Sequence, residues 1–348
     1  MTLAGLSPQH TAWTAFGLGL AALLARRGLK KRSLSASGAL AAFLVGAVHM
    51  CCGLQYGMTL IVFYLTSSKL TKLGASRKAV VEEEHKEGGC RSAAQVLANS
   101  LAACCLAELA SLLASQPLPG PAAALLAADP RTLALLRAAV AGAFLGHYAC
   151  CTADTWASEL GILWPQPPRL ITTGRAVPPG TNGGVSPLGL AASAAGGLAI
   201  GLAFYGAGWA GCALGAVPRG GSLCRSEAGG TWLGWGPADA APLALLGLVC
   251  GLGGSLLDSL LGATVQFTGW DGKARRVVGR DRLWEERARA EAKARRDALG
   301  GEGKGKGEQE EGGIVRICGM PLLSNDGVNA VSAALTAGLG AVLLARCA

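Results

Sequence analysis

Long apolar runs broken by short polar clusters set the pattern of this chain. The runs predict helices near 11–25, 34–50, 53–66, 92–115, 132–151, 187–207, 241–265 and 328–346. A membrane span needs roughly 20 apolar residues, so the first and third are marginal and the count reads as about eight, within seven to nine. Gly, Ala, Ser and Cys dominate the runs, as in helices that approach one another closely. Along the seventh, Gly247, Gly251, Gly254, Asp258 and Gly262 place one stripe of small residues on one face.

Composition agrees. Of 348 residues, 51% are hydrophobic and 15% charged, whereas a soluble domain carries about 25% charged residues. The expected fold is an all-α, polytopic integral membrane bundle. Residues 1–266 hold the first seven spans, with motif loops at 67–91 and 152–186. Residues 267–316 form a charged, Gly-rich insertion, and 317–348 carry a last motif and the terminal span. Within the insertion, 281–297 read as a charged helix with Glu285–Arg289 and Glu291–Arg295 at i,i+4, followed by a flexible linker. The insertion as a whole reads as solvated and without chemistry.

The net charge of +9 does not point to nucleic acid. If all eight runs cross, 26 of the 31 Lys and Arg residues fall in loops on one side, which places those loops in the cytoplasm or its topological equivalent. Arg26, Arg27, Lys30, Lys31 and Arg32 follow the first run, the reverse of a signal peptide's basic start. With no clear transit peptide either, the membrane stays open between endomembrane and plastid. Six of the twelve cysteines form adjacent pairs in or beside the runs and are expected to pack as small side chains, not to form disulfides or zinc sites.

Four polar groups stand against the apolar trend, all on the same predicted face. The first holds Lys69 and Lys72, then Arg91, Gln95 and Asn99; its lysines serve as topology anchors or as a phosphate surface. The second is Asp154 to Gly161, where Asp154 and Glu159 make a divalent-cation site plausible, since Mg²⁺ takes one or two carboxylates and fills the rest with water and phosphate. Upstream, His147 reads as a packed side chain. The third runs from Arg169 and Arg175 to the turn Thr181, Asn182, Gly183, Gly184, with Ser186 as N-cap and Pro187 opening the next helix. The fourth joins Asp258, inside a span where an unpaired charge is costly, to Asn325, Asp326 and Asn329. Carboxylates for a metal, with arginines and turn amides for phosphate, suit phosphoryl transfer, in which catalysis is mostly positioning and charge neutralisation.

The strings LTSSKLTKLG (65–74), HKEGGCR with QVLAN (85–99), DTWASELG (154–161), PRLITT to VPPGTNGGVS (168–186), GSLLDSLLGATVQ (254–266) and NDGVN (325–329) resemble, in order, the transmembrane protein 19 family. The plant phytyl-phosphate kinase of vitamin E biosynthesis belongs to the same wider family. The resemblance therefore implies a transferase that converts isoprenoid monophosphates to diphosphates, with CTP or ATP as donor. On that reading Asp154, Glu159, Asp258 and Asp326 hold Mg²⁺. Arg169, Arg175 and the 181–184 turn grip phosphates, with Lys69, Lys72, Arg91, Asn325 and Asn329 assisting. An ion-coupled carrier and a non-catalytic scaffold or sugar-responsive regulator are the rival classes.

Overall fold

The computed structural model describes residues 8–73, 90–114, 129–214, 235–284, 288, 291 and 314–347. The α-helices with bounds set among them are α1 (Pro8–Lys30), α2 (Ala36–Cys52), α3 (Leu54–Leu73), α4 (Ala93–Ala98), α5 (Leu101–Ala114), α6 (Pro130–Gly161), α7 (Pro187–Ala213), α8 (Ala240–Val265) and α9 (Asn325–Cys347). Four of these, α6, α7, α8 with its leading 3₁₀ turn, and α9, are long and apolar enough to cross a membrane. Eight spans are therefore more than the described helices establish.

The shortfall has physical causes. The single run expected over 92–115 is two helices. Ser92 and Gln95 form a reciprocal capping box that starts α4, and α4 ends at Asn99, whose Nδ2 donates to the Gln95 carbonyl at 2.8 Å. The 14 residues of α5 then extend only about 21 Å at 1.5 Å per residue, and the 17 of α2 about 25 Å. Both fall short of a ~30 Å hydrocarbon core.

The bundle is arranged for a lipid solvent. Helix α6 is central and packs against α3, α5, α7, α8 and α9. Outward positions carry large apolar side chains such as Leu23, Leu40, Leu245 and Leu335, each more than half exposed. Inward positions are small. At the α7–α8 seam, Gly197 lies against Gly247 and Gly251, and at the α6–α9 seam Gly142 lies against Gly340, in both cases backbone to backbone. A Cβ on Gly251 would come within 2.5 Å of the Gly197 Cα. The expected small-residue stripe is thus a packing surface. The few aromatics cluster at the centre: Phe144 meets Tyr56 and Tyr148 at ring distances of 4.8 and 5.1 Å. Tyr148 bonds His49 Nε2 at 2.9 Å.

Strands correct the all-α expectation. β1 (Arg169–Leu170) pairs with β2 (Gly184–Val185), and a three-stranded antiparallel sheet runs β4 (Arg276–Val278), β3 (Thr268–Asp271), β5 (Ile314–Cys318). The second sheet lies in the insertion expected to be solvated, yet Thr268, Asp271, Val277 and Val278 are buried. Asp271 turns the hairpin by accepting from the Lys273 and Ala274 N–H groups, both at 2.9 Å. The predicted helix at 281–297 opens in a helical stretch at 280–284; its remainder, and the linker after it, lie almost wholly outside the described residues. Among the described residues ten cysteines are free, and all three adjacent pairs are among them. Cys212, at the end of α7, is disulfide-bonded and departs from the packing expectation.

Candidate functional site

Six helical segments, joined by the loop between α6 and α7 and by residues 277–282, meet at one end of the bundle around a cavity of ≈1060 Å³. They are the C-terminal ends of α3, α6 and α8, the start of α7, the start of α9, and residues 90–99 with α4. Local signals set several of these ends. Ser186 caps α7 by accepting from the Gly189 N–H at 3.2 Å, with Pro187 in the first turn as expected. Ser324, not Asp326, caps α9 by accepting from the Gly327 N–H at 3.2 Å, which leaves Asp326 on the cavity wall. Ser186→Ala should cost about 1 kcal/mol, measurable as a lower thermal midpoint in detergent.

The acids converge. The side chain of Asp154, on α6, hydrogen-bonds that of Asp258, on α8. Asp258 also accepts from Ser332 Oγ at 2.7 Å, and the Asn329 amide, turned to donate, reaches it at 3.3 Å. Two carboxyl groups in contact raise one another's cost of ionisation, so the pair suits a shared proton or a bound cation. Glu159 and Asp326 line the same cavity, but among the described residues no three acidic, His or Cys side chains form a metal-binding group. All four carboxylates named from the sequence line this cavity, and Asp154 and Asp258 are the two in direct contact. Glu159 is held otherwise: its Oε1 accepts from Thr71 Oγ1 at 3.0 Å, and it faces Arg91 electrostatically.

The basic side is redistributed. Lys69, Lys72, Arg169 and Arg175 are exposed and do not line the cavity. Arg169 folds back to the Gly174 carbonyl at 2.9 Å. The guanidiniums on the cavity wall are Arg91 and Arg282, against five carboxylates, among the described residues. Burial pushes the Arg91 pKa down, and Glu159 pushes it back up. Arg282 was not singled out from sequence because it belongs to the insertion, whose residues 277–282 form part of the rim. The paired β-branched residues Val277 and Val278, with Ile314, Val315 and Ile317, are the signal that could have found that rim as strands.

The 181–184 turn reaches the cavity, though not with four free amides. Thr181 N–H donates to Pro178 O at 3.2 Å, and Gly184 N–H to Thr181 O at 3.0 Å. Gly183 needs its glycine twice over. Its φ is +75°, and an added Cβ would strike Ala263 and the Ser259 carbonyl at 2.5 Å. Asn182 ties the turn to the sheet by donating to Thr268 Oγ1 at 2.9 Å. A double-mutant cycle of Asn182→Ala and Thr268→Val should give a coupling of about 1 kcal/mol in thermal or denaturant stability. Gln95, Asn99, Asn325 and Asn329 also line the cavity. Buried His147 is packed as expected, its Nε2 2.9 Å from the Asn99 carbonyl. Members of all four polar groups therefore share one cavity.

The profile of the integral membrane protein DUF92 family matches residues 19–337. The chain belongs to that family. It is 36% identical to Protein PGR of Arabidopsis thaliana over 94% of both chains, in keeping with the resemblance to the transmembrane protein 19 family. It is also 29% identical to the uncharacterized membrane protein MJ0933 of Methanocaldococcus jannaschii, over 51% of this chain and 63% of the relative. No solved structure matches. The DUF92 chain is thus an integral membrane protein in contact with the bilayer.

Proposed function

We propose that this DUF92 protein is a membrane-embedded kinase that transfers a phosphoryl group from a nucleoside triphosphate to an isoprenoid monophosphate at the cavity end of the bundle. The observation that carries this reading is the Asp154–Asp258 pair inside a cavity that also holds Arg91, Arg282 and amide side chains. An excess of carboxylates repels a bare phosphate and favours one that arrives with a divalent cation. The pair suits Mg²⁺, which is commonly held by one or two carboxylates plus phosphates and water. When bound, Mg²⁺ would neutralise charge on the phosphoryl oxygens.

The chain's own groups do the rest. Arg91 and Arg282 offer guanidinium forks to phosphate. Ser332 and Asn329 orient the Asp258 carboxylate. The 181–184 turn, packed against Gly262 on α8, supports the wall beside it. The test uses purified full-length protein in lipid with Mg²⁺, phytyl or farnesyl monophosphate, and ATP or CTP. Formation of the diphosphate supports the reading; its absence with both donors and both acceptors removes it.

An ion-coupled carrier is the second reading. It is favoured by the break between α4 and α5 at the cavity, since carriers build sites on discontinuous helices. Flux of a phosphorylated solute into proteoliposomes without diphosphate formation would select it.

A further inference from the structure

The chain between α8 and α9 carries apolar surface away from any helix. Val315 on β5, and Met320 and Leu322 just after that strand, are 65%, 48% and 62% exposed. The other exposed large apolar side chains of the described residues lie in or next to helical stretches.

This segment sits at a boundary of the bilayer. Helices α8 and α9 are both long and apolar enough to cross, so the residues linking the end of one to the start of the other belong to one membrane face. The link is tied to the last turn of α8. Met320 N–H donates to Thr264 O at 2.9 Å, and the N–H groups of Leu322 and Leu323 donate to Val265 O at 3.2 and 3.0 Å. Carbonyls that a helix end leaves open are thereby satisfied. Gly319 permits the crossing: its φ is +71°, and an added Cβ would strike the Gln266 carbonyl. The side of α8 that receives Met320 is its outward one, since Thr264 and, one turn earlier, Leu260 are exposed. Met320 and Leu322 continue the lipid-facing surface of α8 past its end.

Charge points the same way. Residues 268–282 and 314–318 hold six Lys or Arg and two Asp, and Lys273, Arg275 and Arg316 are exposed. In the ladder Val315 lies opposite half-buried Trp270, an aromatic of the kind that settles at headgroup level. β5 is an edge strand, and an open edge bearing exposed apolar side chains invites pairing with another chain unless something covers it. In the headgroup zone its backbone groups stay hydrated while its apolar side chains reach the acyl boundary.

We propose that β5 and residues 319–323 dock on the anionic surface of the leaflet at the cavity end, with Val315, Met320 and Leu322 in the acyl boundary and Arg316 on lipid phosphate. The sheet expected from sequence to be solvated is then a lipid-docked platform. Because residues 277–282 of the same sheet and its exit form part of the cavity rim, docking holds that rim against the bundle. The inference does not depend on phosphoryl transfer, since a kinase and a carrier need a fixed rim equally.

The experiment places benzoylphenylalanine at Met320 or Leu322 of the full chain, in nanodiscs of equal parts phosphatidylcholine and phosphatidylglycerol, and identifies the photoadducts by mass spectrometry. Leu335, exposed on α9, is the positive control. The expected result is lipid adducts at both test positions, with phosphatidylglycerol enriched about fivefold, the preference that one basic residue near a surface confers. Arg316→Gln should bring that ratio back toward one. Adducts at Leu335 alone would overturn the proposal, as would adducts of positions 320 and 322 with another segment of the chain or with a second copy. Lipid adducts without enrichment would overturn the anionic assignment. Hydrogen exchange of the unsubstituted chain supplies a test free of any variant. Amides of 314–323 should exchange more slowly in these nanodiscs than in phosphatidylcholine alone, and equal rates would count against docking.

Discussion

Asp258→Asn should lower diphosphate formation by about 10²–10³-fold, the usual loss when one charge-stabilising group is removed from a reaction centre. The substitution is nearly isosteric. The Asn side-chain oxygen still accepts from Ser332 Oγ, now 2.7 Å from the carboxylate, so thermal stability and membrane insertion should be preserved. What disappears is the negative charge shared with Asp154. Asp154→Asn should act alike, and the double variant should be little worse than either single one, because groups that act as a unit do not add. Full activity of Asp258→Asn would take this residue out of the mechanism.

Gly197→Leu should be the most damaging change to the fold, costing at least about 1–3 kcal/mol through overpacking. Its added atoms would run into the Gly247 carbonyl and the Gly251 Cα of α8. Neither is a flexible side chain, so the two helices must move apart. Because α7 opens at the cavity with Ser186 and α8 carries Asp258, the displacement would also disturb the site. Gly253→Leu is the control: on the same pair of helices, a Cβ there meets nothing within 4 Å. Thermal unfolding in detergent should separate the two clearly, and equal midpoints would refute the idea that the seam is backbone to backbone.

Local chemistry was the legible part of this chain. Ser186 and Pro187 announced the start of α7, because a cap and its first turn are neighbours in sequence. The glycine stripe announced a close seam, because helical periodicity puts those positions on one face. Asp154 and Asp258 stood out as polar residues in apolar surroundings, and the fold brings them together. Features set by distant partners were not legible. β3 pairs with β5 across more than forty intervening residues, and nothing near Thr268 foretells Ile314. Arg169 and Arg175 sat in a richer motif than Arg91, yet Arg91 reaches the cavity because its backbone bridges to Leu34, 57 positions earlier. The 92–115 run read as one helix because apolar content hid the Ser92–Gln95 cap and the Asn99 stop.

The Cys212 disulfide serves as a redox compass. It closes the end of α7 remote from Ser186, and the 27 residues of that helix separate the two ends by roughly 40 Å at 1.5 Å per residue. Disulfides persist where the surroundings oxidise thiols, so a lasting bridge at Cys212 predicts that, once reduced, this residue reacts with a membrane-impermeant thiol reagent from the oxidising side only. On that outcome the acidic cavity at the other end of α7 would face the opposite compartment, the side that the Lys- and Arg-rich loops predict from sequence.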